Sequence, residues 1–192
     1  PGIYWLTVVL ISIVGTLITD DLTDNYEVPL EISTAIFTIL LAVTFAVWYK
    51  KEKTLSIHAV NTTMREAYYW IAILFTFSLG TAAGDLLSET MEFGYLVPLA
   101  IFSMLIASVA IARFGFKIHT VAAFWIAYIL TRPLGASIGD YLSQDLENGG
   151  LELGAEITSV IFLATILATV VYLSVTKKDV IENSEISEIP MN

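Results

Sequence analysis

One register recurs three times along the chain and limits what it can fold into. Trp5, Gly15, Asp20 and Leu22 are separated by ten, five and two residues; Trp70, Gly80, Asp85 and Leu87 repeat those offsets, and so do Trp125, Gly135, Asp140 and Leu142. An aromatic residue precedes each tryptophan: Tyr4, Tyr69 and Phe124. Three of only four tryptophans in one register mark an internal duplication. The copies start 65 and 55 residues apart, counted from Trp5 to Trp70 and from Trp70 to Trp125, so each has room for two spans of about 20 residues.

Composition says what surrounds those spans. Apolar residues make up 56% of the chain and charged residues 15%, with a mean hydropathy of +0.76, too apolar for an ordinary soluble domain. The expected fold class is all-α: a polytopic transmembrane helical bundle of six spans, arranged as three parallel two-helix repeats in contact with a lipid bilayer. Repeat one covers 1–50, with spans Ile3–Thr19 and Val28–Tyr49, the second closing on Trp48 and Tyr49 as interfacial anchors. A basic connection, 51–66, has a middle suited to a short helix along the membrane surface, and its Arg65 and Glu66 read as a local charge pair. Repeat two covers 67–113, with spans from Ala67 to Leu87 and from Phe93 to Ala112. After a linker at 114–120, repeat three covers 121–175, with spans Val121–Leu142 and Leu151–Val175. The charged segment 176–192 lacks large apolar residues and reads as a disordered tail.

Orientation follows from the basic residues. Eight of the nine lie between repeats or after the last span: Lys50, Lys51, Lys53, Arg65, Arg113, Lys117, Lys177 and Lys178. The turns inside the repeats carry acids instead. The positive-inside bias therefore predicts cytoplasmic termini, with the aspartate tips outside and the tryptophans in the inner aromatic belt. An absence of cysteine removes disulfides and thiolate chemistry. No phosphate loop, HExxH, serine elbow or nucleic-acid motif is present, and an acidic outer face repels nucleic acid.

The second halves of the repeats also correspond: Glu31-Ile-Ser-Thr-Ala-Ile-Phe37 parallels Glu156-Ile-Thr-Ser-Val-Ile-Phe162, while the middle copy has Leu96 in place of the acid. On these features the chain resembles a bacterial family of integral membrane proteins built from four copies of a repeat of unknown function, the uncharacterised membrane-anchored proteins. The segments closest to it are EKTLSIH (Glu52–His58), LGTAAGDLL (Leu79–Leu87) and AYILTRPLGASIGDYL (Ala127–Leu142), and the resemblance extends over about residues 1–178. It implies a fold and a bacterial inner-membrane location but no reaction. Three copies against four, and a span that starts almost at Pro1, imply a further unit ahead of residue 1.

Several residues are candidates for function. Gly80 and Gly84, Gly135 and Gly139, and less strictly Gly15 and Thr19, are small residues four apart, a pattern that lets helices pack closely in lipid. Asp20, Asp85 and Asp140 come fifteen residues after their tryptophans, about 22 Å along a helix. They sit near helix C-termini, where negative charge is disfavoured. Each needs a partner: a cation, a proton, or the nearby hydroxyls of Thr16, Thr81 and Ser137; the alternative is that these acids simply end the spans in water. Glu31 and Glu156 start helices, where they can cap amides or, with Ser33, Thr34, Thr158 and Ser159, offer oxygen ligands to a divalent cation as substrate or ligand. No resident cofactor is expected. Arg132 is the one basic residue inside a span, so it requires a counter-charge, an anionic ligand or water. Pro133 beside it is expected to kink the helix. His58 and His119 read as interfacial polar residues and not metal ligands. The function these point to first is an ion-coupled permease or transporter of a small ion or solute. A non-transporting scaffold or sensor is the second reading, and an intramembrane metal enzyme the third.

Overall fold

The computed structural model describes residues 2–90 and 94–176. Six helices in it are long and apolar enough to cross a membrane: α1 (Gly2–Asp20), α2 (Leu30–Glu52), α3 (Thr63–Asp85), α4 (Leu96–Phe114), α5 (Thr120–Ser143) and α6 (Gly154–Thr176). The chain is thus a multi-pass, membrane-type helical bundle. α1 and α3 continue into single π-helical segments, Asp21–Asn25 and Leu86–Thr90, which extend the first and third spans beyond their aspartates. Phe93 and the tail from 177 lie outside the described residues, as do Lys177 and Lys178. The connection between α2 and α3 holds one short 3-10 turn, Ile57–Ala59, and no longer surface helix.

Local sequence accounts for the ends. The carbonyl of Pro29, a residue that cannot continue a preceding helix, accepts from Ile32 and Ser33 to open α2. Lys53 closes it in the left-handed conformation at φ 57°, its amide bonded to the Tyr49 carbonyl. The Thr62 hydroxyl accepts from the Arg65 amide at 3.3 Å and caps α3. Arg65 does not pair with Glu66, its neighbour on the helix; it reaches back to Glu52 at 2.6 Å, tying the end of α2 to the start of α3. α5 runs unbroken through Pro133, so this proline does not end the helix. It removes the amide that would bond the Ile129 carbonyl.

Packing is interleaved between repeats. The principal helix pairs are α2 with α3, α4 with α5, α1 with α3 and α3 with α5, while α1 and α2, or α3 and α4, barely touch. The second span of each of the first two repeats thus rests on the first span of the following repeat. α3 is the centre: Tyr69, Ala72, Ile73, Thr76, Ser78, Gly80, Thr81, Ala82 and Gly84 are all buried along it. α6 leans on α5 and otherwise presents apolar surface, the arrangement of a lipid-facing span.

The tryptophan ends of α1, α3 and α5 lie together, as the shared register requires. Tyr4 and Tyr69 hydroxyls are 2.8 Å apart, and the Tyr69 ring is 6.1 Å from Trp125. The interfacial belt is only partly realised. Trp5 is exposed and Trp70 half-buried, but Trp125 and Trp48 are buried in the core with Leu41, Tyr69, Ala72 and Ile73. Trp125 donates its indole N–H to the Leu55 carbonyl at 2.8 Å and packs against Phe45 at 4.9 Å and Trp48 at 5.8 Å. These rings join α2, α3 and α5 in one cluster. Each such aromatic pair adds about 0.5–1.5 kcal/mol beyond its buried area.

Candidate functional site

The repeat glycines set how closely the first spans approach. A side chain on Gly15 would stand 2.8 Å from Phe77 Cβ and 3.2 Å from the Ser78 amide nitrogen. One on Gly80 would stand 2.6 Å from Arg132 Cβ and 3.1 Å from Pro133 Cδ. Phe77 and Ser78 precede Gly80 by three and two residues, and Arg132 and Pro133 precede Gly135 by the same steps. One contact is therefore made twice: the glycine of one repeat receives the same two positions of the next. Gly84 faces Ala136 at 3.7 Å and Gly139 faces the Phe162 ring of α6 at 3.6 Å, both ordinary contacts, and nothing comes within 4 Å of the place a Gly135 side chain would take.

Polar groups follow the same geometry. The Ser78 hydroxyl donates to the Gly15 carbonyl at 3.0 Å, and Thr19 donates to the Ser78 carbonyl at 3.1 Å, so α1 and α3 are stitched where their backbones meet. Thr16 and Thr81, equivalent residues 65 apart, have hydroxyls 3.3 Å from each other. Arg132 Nη2 donates to the Thr16 hydroxyl. Thr81 donates in turn to the Phe77 carbonyl at 3.2 Å. Since Thr16 accepts from the guanidinium, its own proton is free to go to Thr81, and a directed chain of donors joins α5, α1 and α3. The Arg132 guanidinium carbon stands 5.2 Å from the centre of the Phe77 ring, within reach of a cation–π contact. Its Nε is buried without a hydrogen-bond partner.

The carboxylates of Asp85 and Asp20 are among the charges that act on Arg132. The repeat aspartates, Asp140 included, are half-buried, neither sealed nor fully in solvent. A cavity of about 550 Å³ lies beside Asp20, Asp21, Asp24 and Asn25 against Val14, Leu17 and Ile18, and it does not extend to Arg132. Ser137 is buried but is not part of the Thr16–Thr81 contact. The residue in register with those threonines is Ala136, and one residue turns a helix by about 100°, which takes Ser137 to another side. Glu31 and Glu156 occupy the first turns of α2 and α6 as exposed residues, where negative charge is favourable. The hydroxyls of Ser33, Thr34 and Thr158, beyond those acids, are buried without hydrogen-bond partners. Among the described residues no three acidic or histidine side chains converge as a metal-binding group. Phe77 and Ser78 were not singled out by sequence, although their offsets from Gly80 carried the signal; Thr19 was singled out only as a small packing residue.

Three stretches, 3–54, 68–118 and 123–179, match the model of one family, described as Repeat of Unknown Function (DUF347). No curated protein and no solved structure matches the chain.

Proposed function

The chain belongs to the DUF347 repeat family, and we propose that it is a permease that moves a small ion or solute across the bacterial inner membrane, with the meeting point of α1, α3 and α5 as its polar hub. The observation that carries this reading is Arg132. Among the described residues it is the one basic residue away from the ends of the spans, it donates to Thr16 across from α5 to α1, and one of its nitrogens is buried without a hydrogen-bond partner. Ionisable groups held at membrane depth cost several kcal/mol and mark ion and proton pathways.

Charge counting narrows the ligand. Asp20 and Asp85 against Arg132 leave one negative charge if both acids are ionised, which suits a proton or a monovalent cation. A divalent ion takes six or more oxygen ligands, and here it would draw them from carboxylates, the Thr16 and Thr81 hydroxyls and backbone carbonyls. In this reading Arg132 is the internal counter-charge, and the basic tryptophan end faces the cytoplasm.

The test is flux in proteoliposomes against protons, monovalent and divalent cations and small anions. Wild-type protein should carry at least one of these, and both Asp85→Asn and Arg132→Ala should reduce the rate by about tenfold or more, the scale of losing an interaction of roughly 1.4 kcal/mol in the rate-limiting step. Arg132→Phe sharpens the test, because the second repeat already places Phe77 at the equivalent position. It should fold and fail to transport. Absence of flux across the whole panel, or flux indifferent to both substitutions, would leave a scaffold or sensor.

A further inference from the structure

A second cavity, of about 560 Å³, lies at the opposite end of the bundle from the aspartates, and the hub has no part in it. Its walls come from the last turns of α2, the connection after it and the first turns of α5: Phe45, Tyr49, Leu55, Trp125, Ile126 and Ile129 supply the apolar surface. Lys53, Thr54 and His119 add polar groups to the lining. α2 and α5 are not a principal packing pair, and the Phe45–Trp125 and Trp48–Trp125 contacts join them at the floor. Tyr49 and Ile126, on opposite walls, are 56% and 45% exposed, so the wedge opens sideways, where a bilayer would lie.

From this combination we propose a binding site for one anionic phospholipid of the leaflet at the basic end of the bundle. The acyl chain lies in the apolar wedge along Phe45, Ile126 and Ile129, and the phosphate sits between Lys53 and His119. The amphipathic lining matches such a lipid: apolar depth with basic groups at the rim, the arrangement by which pockets between spans take anionic headgroups. The volume falls within the roughly 300–1,000 Å³ of ligand sites and holds one chain of a lipid whose remainder stays in the bilayer. Lys53 is fixed there by two bonds of the fold. Its own left-handed cap ties it to Tyr49, and the Trp125 indole pins the connection at Leu55 two residues later. The α5 N-terminus, with Val121 and Ala122 in the lining, adds amide groups directed at the same rim.

The experiment is native mass spectrometry of the full chain, delipidated and titrated with phosphatidylglycerol or phosphatidylcholine of identical chains. The expected result is one retained phosphatidylglycerol and a clear preference over phosphatidylcholine. Lys53→Gln and His119→Gln should each cut that preference about fivefold in mildly acidic buffer, the factor set by the attraction of one basic residue to an anionic membrane. Lys50→Gln with Lys51→Gln, at the same end but outside the lining, should leave it intact. Ile126→Trp, which fills the wedge, should abolish retention of both lipids while the rim charges stay. Glycerol phosphate and inorganic phosphate, lacking a chain, should not displace the lipid at equal concentration. Equal retention of the two lipids, an equal loss from the Lys50 and Lys51 changes, retention surviving Ile126→Trp, or displacement by phosphate alone each overturns the assignment. Unfolding of each variant in detergent, matching wild type, separates loss of the site from loss of the fold.

Discussion

Gly80 and Gly135 occupy the same place in consecutive repeats, yet their surroundings have nothing in common. Gly80 lies under Arg132 and Pro133 so tightly that a methyl group would stand 2.6 Å from Arg132 Cβ, whereas nothing approaches the corresponding point at Gly135. Gly15 resembles Gly80, with Phe77 and Ser78 over it. A small residue in this register is therefore a seat for the first span of the following repeat, and it bears load only where such a span lies on it. The pattern of four-spaced small residues is the same in all three places. The energetics are not.

The sharpest way to break this comparison is Gly80→Leu. It should force α3 from α5, cost at least the upper end of the roughly 1–3 kcal/mol typical of overpacking, and pull Arg132 off Thr16; unfolding in a graded denaturing detergent reads the first and flux the second. Gly15→Leu should cost somewhat less, about 2 kcal/mol, because its nearest neighbour, Phe77 Cβ at 2.8 Å, stands farther off than the Arg132 side chain does from Gly80. Ser78→Ala removes the bond to the Gly15 carbonyl and should cost about 1 kcal/mol in the same assay. Gly135→Ala should lie within about 0.5 kcal/mol of wild type, or stabilise slightly through helix propensity. A Gly135→Ala loss as large as that of Gly80→Ala would show that the third seat is occupied in the membrane.

The spans and their common orientation were legible because register survives duplication: a tryptophan, a glycine and an aspartate at fixed offsets place three helices the same way up. The neighbours of each span were not. Sequence adjacency points α1 at α2, but α2 rests on α3. A span that is apolar on every side carries no stripe to say which side meets protein, since lipid and leucine are alike to it. Arg132 was legible as a residue in need of a partner, whether a counter-charge, an anionic ligand or water. Its direct contact is the Thr16 hydroxyl, with Asp85 and Asp20 acting through charge. Trp48 was read as an anchor at the water boundary because tryptophans collect there, and it is fully buried because Tyr68 and Trp125 pack against its ring.

Interleaving has a consequence for biosynthesis. Insertion from the amino end delivers α1 and α2 ahead of α3, the span on which both dock. α1 and α2 lack that partner until α3 arrives, and α4 waits likewise for α5. Maturation is then ratcheted, each newly inserted odd-numbered rod capturing what came before it.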